Sequence, residues 1–69
     1  MYLKLFETLE NKFKLNLISL NSNEIGIPAG NLKTNEKATV INYITTYAAA
    51  NELKISVLLL DNDIIIKHF

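Results

Sequence analysis

Residues 55–69 read Ile-Ser-Val-Leu-Leu-Leu-Asp-Asn-Asp-Ile-Ile-Ile-Lys-His-Phe. Two short apolar runs flank a polar triplet, which predicts a β-hairpin with strands over 55–60 and 64–69. Asp61, Asn62 and Asp63 supply the turn, because Asn and Asp tolerate positive φ and bond their own backbone. A half-solvated strand alternates apolar with polar, but these two are apolar on both sides in the middle. Ile55, Val57 and Leu59 oppose Leu58 and Leu60, and Ile64 and Ile66 oppose Ile65. Continuous apolar runs mean that both faces are covered. One helix covers only one face of a small sheet, so the other face is expected to meet a second subunit.

The covering helix lies just upstream. Residues 38–51 read Ala-Thr-Val-Ile-Asn-Tyr-Ile-Thr-Thr-Tyr-Ala-Ala-Ala-Asn, without a charged residue. Val40, Ile41, Ile44, Tyr47, Ala48 and, just beyond, Leu53 form the core stripe, while Thr39, Asn42, Thr46 and Ala50 face roughly the other way. A surface helix usually carries a charged outer face. This outer face is small, hydroxylic or amidic, and a partner covers such a face at little desolvation cost. Thr34 or Asn35 is the expected N-cap, and Glu36 complements the helix dipole in the first turn. Tyr43 and Tyr47, at i and i+4, share one side. Of the two, Tyr43 points further from the stripe and is the better contact candidate.

The first twenty residues carry two competing patterns. Leu3 and Leu5 alternate with Lys4 as in a strand, while Tyr2, Leu5, Phe6 and Leu9 fit a helical stripe. Phe13, Leu15 and Leu17 alternate with Lys12, Lys14 and Asn16, which reads as a half-buried strand. The strand reading is favoured, with residues 2–7 pairing with 12–20 across a turn at Asn11 as a first hairpin. The helical alternative leaves a three-stranded sheet with two helices. Residues 21–33 hold both glycines and the only proline and read as a long loop, a class that is usually functional or mobile. Within it, Ile25 and Ile27 either present a contact surface with Pro28 or pin the loop to the core as a short edge strand.

The chain of 69 residues is expected to be one domain, α+β, with two hairpins flanking one helix (ββαββ) in an antiparallel sheet. Domains this small often need disulfides, a metal or oligomerisation. There is no Cys, and His68 is the only His, so a Zn site lacks ligands and self-association is favoured a second time. The seven basic residues, all Lys, balance seven carboxylates, which argues against a nucleic-acid binder with a basic stripe. Residues 1–20 carry charges throughout and no run reaches membrane-spanning length, so a cytoplasmic protein is expected. Abundant Asn, Ile and Lys suit an AT-rich genome, such as that of a low-GC bacterium, a plasmid or a phage.

No catalytic, cofactor-binding or metal-ligating residue is expected. The 61–63 triplet lacks the Gly and the later ligands of a Ca²⁺ loop. Gly26 to Gly30 precedes a helix but lacks the Gly-Lys-Ser/Thr of a phosphate loop and the third Gly of a dinucleotide site. The serines lack a nucleophile motif. The expected function is a small non-enzymatic protein-binding module, a homodimer that inhibits or regulates a larger protein such as a host or defence enzyme. Its candidate contacts are Ile25, Ile27 and Pro28 in the loop and Asn42, Tyr43, Thr46 and Ala50 on the helix. The alternatives are a nucleic-acid-binding dimer using Lys4, Lys12 and Lys14, and a structural subunit of a larger assembly.

Overall fold

The computed structural model describes residues 2–69 and shows an α+β fold with two helices and one four-stranded antiparallel sheet. The elements are α1 (Tyr2–Asn11), β1 (Ile18–Asn21), β2 (Glu24–Pro28), α2 (Thr34–Ala50), β3 (Ile55–Leu60) and β4 (Asp63–His68). The sheet order is β1-β2-β4-β3. The C-terminal hairpin forms as expected, but β4 lies one residue earlier than 64–69: Asp63 leaves the turn to pair with Leu60, and His68 pairs with Ile55. Asp61 takes φ 55° in its turn, the left-handed conformation for which an Asp is suited. No helix among the described residues is long and apolar enough to cross a membrane.

The first hairpin is corrected. Residues 2–7 do not form a strand but belong to α1, and the helical stripe wins because it puts more apolar surface in one place. Leu5 and Leu9 are fully buried and Phe6 packs partly against the same core. Leu3, which strand alternation would place beside Leu5, is 72% exposed. The burial alternation at 13–17 is real, with Leu15 buried, Phe13 and Leu17 half-buried and Lys14 and Asn16 exposed. It belongs to an irregular connection rather than a strand. Lys14 has φ 57°, and the Leu15 N–H donates to the Leu9 carbonyl at 3.2 Å, so the chain folds back on α1 instead of extending. The hairpin that does precede α2 is β1–β2, displaced towards the C-terminus.

The 21–33 segment is thereby shortened as a loop. β2 is an internal strand rather than an edge, paired with β1 on one side and β4 on the other. Asn21 forms the turn before it, its Oδ1 accepting from the Asn23 N–H at 3.0 Å. The order β2–α2–β3 places β4 between two strands that run the same way.

Both helices lie on one face of the sheet. Cross-strand partners share a face, so the register puts Ile25, Ile66 and Val57 together, and likewise Ile27, Ile64 and Leu59. Ile27, Ile64 and Ile66 are fully buried in one cluster with Leu5 and Leu9 of α1, Val40 and Ile44 of α2, and Ala29. Burying each large aliphatic side chain contributes about 1.5–3 kcal/mol. Val40, Ile44 and Ala48 are the buried residues of α2, with Ile41, Tyr43 and Tyr47 packed at its margin.

The cap of α2 also differs from expectation. Thr34 and Asn35 lie in the first turn and Lys33 is the N-cap. The Glu36 carboxylate reaches back to accept from the Lys33 N–H at 2.8 Å, half of a capping box. At the other end the Leu53 N–H donates to the Ala48 carbonyl at 2.8 Å and the Glu52 N–H to Ala49 at 3.4 Å. This is a Schellman closure, with Glu52 in the left-handed position at φ 55°, where glycine is preferred. A Cβ there costs about 1–2 kcal/mol, so Glu52→Gly is expected to stabilise the chain by about 1 kcal/mol. In a domain of this size that raises Tm by about 4–8 °C. A thermal melt with an unchanged or lower midpoint would refute it.

Candidate protein-contact surface

The sheet face turned away from the helices begins with the register. Ile18 pairs with Gly26, Gly26 with Ile65 and Ile65 with Leu58, one row crossing all four strands. This row has the parity opposite to Ile27, Ile64 and Ile66, so it points away from the core. Ile18 is 49% exposed, Leu20 52%, Leu58 55% and Leu60 56%. A bulge between Ser19 and Asn21 re-aims Leu20, whose terminal methyl lies 3.3 Å from where a Cβ on Gly26 would stand. Gly26 is thus a close-approach position: the missing side chain lets Leu20 lie across the middle of the sheet, which is why Gly26 is buried on an otherwise open face.

Charges sit at both ends of this apolar band. On the same side of β4, Asp63 and Lys67 stand two residues either way from Ile65. The Lys67 Nζ lies 5.6 Å from the centre of the Phe69 ring. Glu24 shares the row of Lys67, and its carboxylate accepts from the Asn21 side-chain amide.

The sequence-predicted contacts separate into two groups. Asn42, Thr46 and Ala50 are exposed on the outer side of α2, at i, i+4 and i+8, on the far side of the molecule from the open sheet face. Tyr43 is half-buried, its ring 5.2 Å from Phe13 and 6.2 Å from Tyr47, with Lys12 Nζ 5.9 Å from its centre. The loop contacts are not brought together. Ile27 is fully buried, Ile25 packs against the core and Pro28 alone is exposed. Ile18 and Leu20 escaped sequence reading because β1 was misplaced. Leu58, Leu60 and Ile65 were signalled by the two-sided apolar runs.

The remaining candidates hold little chemistry. A cleft of about 170 Å³ lies between Phe13, Leu15, Leu32 and Val40, below the roughly 300–1,000 Å³ of ordinary ligand pockets. An open depression on α1 is lined by Lys4, Glu7, Thr8, Asn11 and Lys12, so Lys4 and Lys12 share a surface with a carboxylate rather than a basic hairpin. Among the described residues no group of three or more His, Cys, Asp or Glu is placed to hold a metal ion. The His68 ring lies tilted against Tyr2 with 4.8 Å between centres, and the His68 backbone N–H donates to the Asn23 carbonyl at 2.9 Å. Comparison of the chain with protein-family models, with curated proteins and with solved structures gives no match.

Proposed function

We propose that this chain is a non-enzymatic protein-binding module of the cytoplasm, a homodimer that presses on a larger protein and inhibits or regulates it. The observation that carries this reading is the pair of surfaces on opposite sides of a two-layer molecule, one apolar between charged ends and one free of charge. One is the apolar band of the open sheet face, with Ile18, Leu20, Leu58 and Leu60 about half exposed. The other is the outer side of α2, where Asn42, Thr46 and Ala50 are exposed within a stretch free of charge. The first is apolar enough to favour permanent burial, since the hydrophobic effect contributes roughly 25 cal/mol per Å² removed from water. The second is polar enough to stand in water and bare enough to be covered by a target. A dimer built on the sheet face leaves both α2 surfaces outward, ready for that target.

The test is capture of a partner from nuclease-treated lysate of a low-GC bacterium, comparing the native chain with Thr46→Lys. The expected result is one stoichiometric protein, held at high salt, that the variant loses while keeping its circular dichroism spectrum. Phosphate-based binding would instead weaken steeply with salt. Equal capture by the variant removes the α2 surface from the reading, and no captured protein overturns it.

A further inference from the structure

We infer that the occupant of the open sheet face is a second copy of this chain, packed face to face with its β4 antiparallel to the first. This rests on the reading of that face as a protein contact and specifies its geometry. The row Ile18–Gly26–Ile65–Leu58 crosses the sheet at right angles to the strands. A twofold axis lying along that row, between two stacked sheets, lays the row against its own copy and reverses every strand. Asp63 then lies opposite Lys67 of the partner subunit, and Lys67 opposite Asp63 of the partner subunit. The Ile65 side chains meet in the centre, flanked by Leu58 and Leu60 on one side and Ile18 and Leu20 on the other.

The charges select this axis over its rival. A twofold axis running along β4 keeps residue numbers level across the interface and sets Asp63 against Asp63 and Lys67 against Lys67, and like-charge juxtaposition is how interfaces reject wrong arrangements. A closed twofold contact uses the same patch on both subunits, and this patch is complementary to itself only when reversed. Aligned sheets pack about 10 Å apart with strands within about 30° of each other, a spacing that Lys and Asp side chains span together.

The four strands hold 21 residues, and strands about 4.8 Å apart that rise about 3.4 Å per residue give the face on the order of 340 Å². Two such faces bury roughly 700 Å², a small interface, so the contact rests on its apolar centre and its charge complementarity. One edge of the sheet suits closure as well. β1 is short and bulged, a device that blunts open-ended strand pairing.

Sedimentation of the purified full chain and four variants decides the matter. The native chain is expected to be a dimer at submillimolar concentration, and Leu58→Glu a monomer with an unchanged circular dichroism spectrum. D63K alone and K67D alone each create two like-charge contacts by symmetry and are expected to weaken dimerisation at least tenfold. The double variant D63K/K67D restores opposite charges across the interface and is expected to dimerise within about threefold of the native chain, by the complementarity of the reversed packing. That rescue separates a direct contact from damage to the fold. A native chain that stays monomeric at millimolar concentration overturns the inference, as does an open-ended series of larger species. Single reversals without effect, or a double variant as weak as the singles, overturn the antiparallel arrangement. A dimer that captures no target sinks the proposed function and leaves this inference standing. A monomer that captures one does the reverse.

Discussion

Ile27→Ala is expected to lower the unfolding free energy by about 3 kcal/mol, the middle of the range for a large aliphatic side chain cut back in a packed core. Ile27 is fully buried, flanked by Ile64 in the register and roofed by the helix residues of the same cluster. A domain of this length is stable by roughly 3–10 kcal/mol in all, so the loss is a large share of the total. Urea denaturation followed by circular dichroism reads it directly. The result bears on function because a contact role for Ile27 predicts the opposite, a chain of native stability that binds its partner less well. An unchanged midpoint would take Ile27 out of the core.

The second large effect lies in α1. Leu9→Ala is expected to cost about 3 kcal/mol, and Leu3→Ala less than about 0.5 kcal/mol. Leu9 is fully buried and Leu3 is 72% exposed, in a segment whose strand reading would have ranked Leu3 with Leu5. The pair therefore distinguishes the helical stripe from the alternating one at the level of energy. Equal losses at the two positions would contradict α1 as described. Because Leu5 and Leu9 belong to the same cluster as Ile27, Ile64 and Ile66, loosening α1 opens that core, and the Leu9 variant should unfold with a lower midpoint rather than lose one helix alone.

What the sequence showed and what it missed follow from where each signal resides. The C-terminal hairpin was legible because strand, turn and strand are contiguous, and Asp61-Asn62-Asp63 carries its own turn chemistry. The stripe of α2 was legible because Val40, Ile44 and Ala48 recur at helical spacing. The N-terminal segment was not, since Leu3 and Leu5 fit one period and Tyr2, Leu5, Phe6 and Leu9 the other over so short a span. Burial against Ile27, Ile64 and Ile66 broke the tie, and those residues are far away in sequence. β2 was hidden by its Gly and Pro, which usually mark loops. Pairing on both sides overrode that preference, with Gly26 lying under Leu20 and Pro28 falling at the strand's end.

The contact surface divides in the same way. By itself the sequence determined that β3 and β4 carry apolar side chains on both faces and that the outer side of α2 carries no charge, because period and composition are local properties. Only the tertiary structure decided that both helices share one face, that Ile18 and Leu20 join Leu58, Leu60 and Ile65 on the other, and that Ile27 belongs to the core. The physical reason is that strand order and register place residues from β1, β2, β3 and β4 side by side, and long-range pairing leaves no mark in the spacing of any one strand.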